Sequence, residues 1–259
     1  MEQFAAVDMK VRIQNYWDRS ANGYDNQFGH GIHSAGEKEL WLDLLARYLP
    51  AGAGAKILDV GCGTGFLSLL AAEIGLDVTG IDFSEAMRSE GRRKAEAAGL
   101  KVNLLKGDAE APDFPPGTFE AVISRHVMWT LPYPGRALRA WKDLLAPGGR
   151  VVVIDGVWTP RDFPGLVRSF VAHLIRRLKN FKRHSAWKKE YIRKKGDLPF
   201  FGGAEPETIE AFLEAAGFTD IRRNDMAAIL DHERRFGTME YRIAHAKNRR
   251  YLISGRKTA

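Results

Sequence analysis

The stretch Ile57-Leu58-Asp59-Val60-Gly61-Cys62-Gly63-Thr64-Gly65-Phe66 constrains this chain more than any other. An apolar run carrying one acid ends in a glycine-rich turn, and Leu67-Ser68-Leu69-Leu70-Ala71-Ala72 then opens a helical pattern. The run therefore reads as a strand, a tight loop and a helix N-terminus. Glycines at 61, 63 and 65 let the backbone pass close to a nucleotide-like ligand. Spacing narrows the choice of ligand. A dinucleotide fingerprint sets its third glycine at position 66, where this chain has Phe. A second apolar strand, Val78-Thr79-Gly80-Ile81, ends in Asp82, the usual place for a carboxylate that takes both ribose hydroxyls. Loop, helix, strand and terminal acid fit adenosine, while the glycine register argues against a pyrophosphate.

The run resembles the first motif of class I S-adenosylmethionine (SAM)-dependent methyltransferases, and more of the chain follows suit. Asp82 resembles the ribose-binding acid of that family, with Phe83 beside it as an adenine neighbour. Lys106-Gly107-Asp108-Ala109 closes a third strand and resembles the adenine-edge motif. Phe119-Glu120-Ala121-Val122-Ile123-Ser124 reads as the fourth strand. Leu144 to Arg150, followed by Val151-Val152-Val153-Ile154-Asp155, resembles the helix, turn and fifth strand. The resemblance is strong over roughly residues 35 to 157 and weak in the C-terminal third. It implies that Asp59, Gly61, Gly63, Gly65, Asp82, Phe83, Asp108 and Ala109 line the cofactor SAM, whose product is S-adenosylhomocysteine. Tyr16, Trp17 and Tyr24 resemble aromatic positions of an N-terminal segment that folds over the cofactor in many small-molecule methyltransferases, so Tyr16 and Tyr24 join that set.

At 259 residues and 45% apolar composition the chain can bury a full core, and one α/β domain with additions is the natural reading. Its longest apolar runs are strand-length, which excludes a membrane-spanning helix from the expectation. The start Met1-Glu2-Gln3-Phe4 lacks the basic-then-apolar pattern of a secretory signal, and the single Cys62 cannot form an internal disulfide. Both points set a cytoplasmic expectation. Charge is unevenly placed. Residues 161 to 200 hold twelve Lys or Arg against Asp162, Glu190 and Asp197, a net of +9 in a chain whose total is +7.

The expected architecture is a doubly wound, seven-stranded, mostly parallel sheet of Rossmann-like methyltransferase type. Residues 1–50 form an N-terminal helical lid, whose first helix over residues 4 to 18 puts Phe4, Val7, Val11 and Tyr16 on its apolar side. Residues 51–157 form the SAM-binding core. Residues 158–204 form an inserted basic helical cap, with Leu166, Phe170, Leu174 and Leu178 on one face. Residues 205–259 complete the sheet, with a helix from Glu205 to Ala216 and an antiparallel pair of strands at 218–226 and 249–256.

Methyl transfer from a sulfonium is an in-line displacement, so the protein mainly aligns the nucleophile and removes its proton when needed. No metal is demanded, and His30-x-x-His33 without nearby Cys makes a poor metal site. The reacting centre is expected beyond the fourth strand, at Ser124-Arg125-His126-Val127-Met128-Trp129. His126 is the candidate catalytic base or substrate orienter, because its ordinary pKa lies near neutrality. His30, His33, Trp129 and Asp155 are the candidate substrate contacts. Cys62, inside the glycine loop, fills a position that wants a small residue.

The chain departs from several subfamilies. Nucleic-acid amino-methyltransferases carry Asp/Asn-Pro-Pro-Tyr after the fourth strand, where this chain has Ser124-Arg125-His126-Val127. Pyrimidine-C5 enzymes need a cysteine nucleophile after the fourth strand and arsenite methyltransferases need several thiols, whereas this chain has only Cys62. The expectation is a SAM-dependent methyltransferase acting on a small organic N, O or C nucleophile. The alternatives are an RNA-modifying enzyme that uses the basic 161–200 segment, and a SAM-binding protein without turnover. That segment is expected to solvate its charges over a lid or to meet an acidic ligand or an anionic membrane surface. Nucleic acid is the disfavoured partner there, and nothing in the pattern sets an oligomeric state.

Overall fold

The computed structural model describes residues 2–158, 198–244 and 249–258. Of the basic 161–200 segment only the last three residues fall in that set, so the helical cap and its partners lie outside the described residues.

Alternation of strand and helix along the chain produces an open α/β sheet. The order is α1 (Glu2–Ser20), α2 (Ala35–Tyr48), β1 (Lys56–Val60), α3 (Phe66–Glu73), β2 (Asp77–Asp82), α4 (Glu85–Ala98), β3 (Asn103–Lys106), β4 (Phe119–Arg125), α5 (Pro134–Leu144) and β5 (Leu145–Val157). After the undescribed segment come α6 (Pro206–Ala215), β6 (Thr219–Asn224), α7 (Ala227–Phe236), α8 (Met239–Ala244) and β7 (Arg249–Arg256). The seven strands lie in the order β3-β2-β1-β4-β5-β7-β6. β1 to β5 pair in parallel, while β7 runs antiparallel to both β5 and β6. The expected sheet is the observed one. The segment between the last two strands, for which the sequence pattern sets no element, contains α7 and α8.

Two apolar layers sandwich the sheet, and the alternation of side chains along each strand assigns residues to them. Leu58, Val60, Val122, Val151 and Val153 face Leu138, Trp141, Ile209 and Leu213 of α5 and α6. Ile57, Ala121, Ile123, Val152 and Ile154 face Trp41, Leu45, Leu67, Leu70 and Ile229 of α2, α3 and α7. β1, covered on both faces, is therefore apolar almost throughout. The outer strand β6 (Thr-Asp-Ile-Arg-Arg-Asn) carries no fully buried residue, and its charges discourage edge pairing.

Helix ends are set by local chemistry. Ser84 accepts a hydrogen bond from the Met87 N–H at 3.1 Å to start α4, and Ser34 accepts from Glu37 in the same way to start α2. α1 differs from expectation in register: Val11 is exposed, while Met9 and Ile13 are buried against Leu198. Its apolar stripe is chosen by what it packs on: Met9 and Ile13, two positions to either side of Val11, turn inward, together with the expected Tyr16.

Candidate functional site

The sheet reverses its winding between β1 and β4, and a crevice opens where the two strand ends diverge. Gly61 sits at the tip of β1 with φ 68°, a backbone region that side chains rarely enter. A Cβ there would stand 2.3 Å from Cγ2 of Val127, which follows β4. The glycine lets the two strand ends come together beneath the crevice. At Gly63 the space a Cβ would fill is open, so this part of the loop presents bare backbone to the crevice.

That crevice is a cleft of about 750 Å³. Its walls include Gly61, Gly63, Asp82, Phe83, Met87, Asp108 and Ala109, with Lys10, Ile13, Trp17 and Tyr24 supplied by the N-terminal segment. Asp82 takes the Gly63 N–H on Oδ2 at 2.9 Å and the Ser84 N–H on Oδ1 at 2.8 Å, so the acid also shapes the loop beside it. Burial raises its pKa, against the pull of those two N–H groups. Asp108 takes the Glu110 N–H on Oδ1 and the Lys10 ammonium on Oδ2 at 2.7 Å.

Three polar links fasten the N-terminal segment to the rim. Lys10 bridges Asp108 and Glu110. Asp18 accepts from the Ser84 hydroxyl at 2.6 Å and the Ala86 N–H at 3.3 Å, at the N-terminus of α4. Asp25 joins the Thr64 hydroxyl to the Lys94 ammonium, each at 2.7 Å.

A second chamber of about 850 Å³ adjoins the first and shares Trp17, Tyr24 and His126 with it. Its other walls are mostly aromatic: Phe28, Trp129, Trp158, Phe201 and Tyr241, together with His30 and Arg250. The His126 ring stands edge-on to Trp158 at 4.6 Å and to His30 at 5.9 Å. Its backbone has φ 59°, held by a hydrogen bond from its N–H to the Ile154 carbonyl at 2.9 Å. A non-glycine residue in that region persists only where its surroundings fix it.

Charged groups that no motif announces border the two spaces, Arg250 in the wall of this chamber and Arg125 in that of the first cleft. Arg250 forms a bidentate ion pair with Glu233, at 2.8 and 3.0 Å, and the Tyr241 hydroxyl donates to the same carboxylate. Arg125 rests on the Phe66 ring at 3.8 Å and donates to the Gly29 and His30 carbonyls. Burial, and then the nearby Arg250, brings the Arg125 pKa down to about 10. Burial and the two guanidinium groups hold His126 well below its ordinary value, so its imidazole is neutral at pH 7.

The sequence-derived candidates fall into two groups. Gly61, Gly63, Asp82, Phe83, Asp108, Ala109 and Tyr24 meet in the first cleft, His30 and Trp129 in the second, and His126 in both. Asp59, Gly65, Tyr16, His33 and Asp155 are not among the residues lining either space. Asp59 turns beneath the loop and accepts from the Ser68 hydroxyl at 2.6 Å. Gly65 starts α3 in a left-handed conformation. Tyr16 packs edge-on against Trp17 at 5.0 Å, partly buried against the Met9, Ile13 and Leu198 cluster. His33 stacks on Phe28 at 4.3 Å with Nε2 against the Gln27 carbonyl. Asp155 is buried and takes the Gly156 N–H. Cys62 is buried as well, which pushes its thiol up and away from reactivity. Among the described residues no group of three or more His, Cys, Asp or Glu could hold a metal ion, and no helix is long and apolar enough to cross a membrane.

Sheet order and cleft together define an open α/β protein that takes a nucleoside-sized ligand at its strand ends. The profile of the methyltransferase domain family matches residues 58–153. A demethylmenaquinone methyltransferase of Thermus thermophilus is 35% identical over 170 residues, which cover 64% of this chain and 76% of that protein. The aklanonic acid methyltransferase of a Streptomyces species is 31% identical over 165 residues, 62% of this chain and 72% of that one. Among solved structures, Haemonchus contortus phosphoethanolamine N-methyltransferase 2 with S-adenosylhomocysteine superposes with TM-score 0.65 at 22% identity, covering 96% of this chain and 59% of that one. The geranyl diphosphate C-methyltransferase of Streptomyces coelicolor gives 0.62 at 16% identity, covering 96% and 98%. The chain belongs to the class I SAM-dependent methyltransferases, and it acts on a small organic acceptor.

Proposed function

We propose that the first cleft holds SAM, that the aromatic chamber holds a flat ring acceptor, and that the methyl passes between them beside His126. The observation that carries this reading is the junction of the two spaces at Trp17, Tyr24 and His126. The residues present fit the cofactor: bare backbone at Gly63, a carboxylate at Asp82 and an apolar slot between Phe83, Met87 and Ala109. Asp82 would take the ribose hydroxyls, Asp108 the adenine edge, and Phe83 one face of the base. Asp59 and Gly65 would act from below, by holding the loop in shape. When bound, SAM supplies an electrophilic methyl on a sulfonium. Everything else the chain does is positioning and exclusion of water.

Aromatic walls on several sides suit a planar acceptor, because rings pack edge-to-face and offset against rings at 4.5 to 7 Å. Two relatives, named for a menaquinone precursor and for aklanonic acid, support that choice. The same reading takes residues 1–50 as a lid tied down through Lys10, Asp18 and Asp25, and residues 51–157 and 205–259 as the core.

Calorimetric titration with S-adenosylhomocysteine, run beside NAD, tests the first part, with micromolar binding of the former alone as the expected result. Labelled methyl transfer tests the second, with hydroxylated naphthalene rings offered against phosphoethanolamine. Turnover of the rings is expected. Turnover of the amine alone would overturn the ring reading.

A further inference from the structure

Resting on the two-chamber reading, we propose that the ring acceptor is bound as its anion, an ionised hydroxyl held in the positive field of Arg125 and Arg250, and that His126 positions it without taking its proton. Three observations combine. First, two guanidinium groups are brought together at the junction of the two spaces, Arg250 paired with Glu233 and Arg125 with no carboxylate in hydrogen-bond contact among the described residues. Among the described residues Arg125 has carbonyl and aromatic partners only, and its Nε is sealed from solvent without an acceptor. A charge so placed is costly unless an anion answers it. Second, Arg250 lines the chamber itself, and the backbone between Arg125 and Arg250 is pinched thin. A Cβ on Gly29 would lie 3.0 Å from both the Arg250 guanidinium and the Tyr241 hydroxyl. Third, Nε2 of His126 is buried with no hydrogen-bond partner. A proton placed there would stand beside both arginines with nothing to stabilise it.

The remaining titratable groups around the chamber offer no better base. Tyr24 is pushed up to about 12, mainly by burial, and Tyr241 is raised and already donates to Glu233. Glu233 is held below its usual range: burial pushes it up, but the attraction and hydrogen bonds of Arg250, the Tyr241 hydroxyl and the Arg125 charge together outweigh burial. His30 stands edge-on to His126 at 5.9 Å. Glu37 is turned toward the His33 backbone, Asp25 is paired with Lys94, and Asp155, which burial pushes up to about 7, is held by the Gly156 N–H and lines neither space. An acceptor that enters ionised needs none of them. The conjugated oxygen or carbon supplies an electron pair to the new bond with the methyl carbon, and the sulfur–methyl pair returns to sulfur. One anion and one sulfonium then give two neutral molecules, and no proton is released in the transfer.

The test uses 4-nitrophenol, whose phenolate absorbs in the visible, and the neutral 4-nitroanisole, with the full-length protein saturated with S-adenosylhomocysteine. The expected result is a bound phenol about one unit more acidic than the free one, equivalent to a preference of about tenfold for the phenolate. Arg125→Gln and Arg250→Gln should return the value toward that of free phenol, and Glu233→Gln should lower it further, an opposite sign that misfolding does not produce. His126→Gln should leave the shift in place and weaken binding. Anion binding no tighter than that of the anisole, including none at all, overturns the proposal. So does disappearance of the shift in His126→Gln, which would make the imidazole the proton acceptor. Failure to bind S-adenosylhomocysteine would sink the cofactor reading instead, and the phenolate preference measured without it would still decide the field.

Discussion

At the scale of single residues, the cleft is built from groups that each serve the loop and the ligand together. Asp82 spends one lone pair of each oxygen on the Gly63 and Ser84 N–H groups and keeps the others for the cleft. Asp82→Ala should therefore weaken S-adenosylhomocysteine binding by about ten- to a hundredfold, the worth of one or two hydrogen bonds to a charged group. Asp82→Asn, with one oxygen left, should fall between. Unchanged affinity in calorimetry would remove Asp82 from the ribose site. Gly61→Ala is a different kind of change. It forces an alanine to φ 68° and drives its Cβ into Val127, two costs that together should exceed about 2 kcal/mol in a denaturant titration. Adding Val127→Ala should recover the part due to collision and leave the part due to the dihedral angle.

At the scale of elements, α1 and the turn after it reach the core through side-chain links spread over some fifteen residues. The Lys10–Asp108 pair is partly open to water, at 21% and 28% exposure, and adds little to global stability. The Glu110 carboxylate that Lys10 also meets is buried and depends on it for charge compensation. Both pairs stand across the cleft rim. Lys10→Met should raise the dissociation rate of S-adenosylhomocysteine several-fold and, by leaving Glu110 buried and unpaired, lower the melting temperature. Lys10→Met with Glu110→Gln should keep the faster release and recover part of the stability. Stopped-flow tryptophan fluorescence would show the release, since Trp17 lines the cleft. An unchanged rate would mean that α1 does not gate the site. How far these elements could be read beforehand depends on how local their chemistry is. A strand, a glycine loop and an acid at the next strand end are contiguous, and each residue type is demanded by the backbone or by the ligand, so β1, α3, β2 and Asp82 are legible. The Arg125, Glu233, Tyr241 and Arg250 cluster is not. Its members come from β4, α7, α8 and β7, and each looks like an ordinary charged or aromatic residue in its own segment. The register of α1 failed for a related reason. With apolar residues at 4, 7, 9, 11 and 13, two stripes are available, and only the packing of Met9 and Ile13 on Leu198 chooses between them.

At the scale of the whole molecule, the sheet carries buried acids whose protonation couples to stability. Burial pushes Asp59 and Asp155 up to about 7. In the unfolded chain an Asp titrates near 3.9. Between those values the native state keeps a proton that the unfolded state has lost, so the stability these groups contribute is fully present below about pH 4 and drains away as pH rises to about 7. His126 acts in the opposite sense. Its pKa is depressed on folding, so keeping it neutral costs stability only as pH falls below about 6.5. General charge repulsion also changes over this range, which makes a bare pH curve ambiguous. A paired comparison is free of that. Asp59→Asn keeps the shape and an acceptor for the Ser68 hydroxyl but cannot ionise. Its advantage over the parent should grow by about 3 kcal/mol between pH 5 and pH 8, read from urea midpoints of the two proteins at each pH. A constant difference across that range would mean that Asp59 is already ionised in the native state. The carboxylate would then carry its charge beneath the glycine loop, where it would add negative potential under a bound sulfonium.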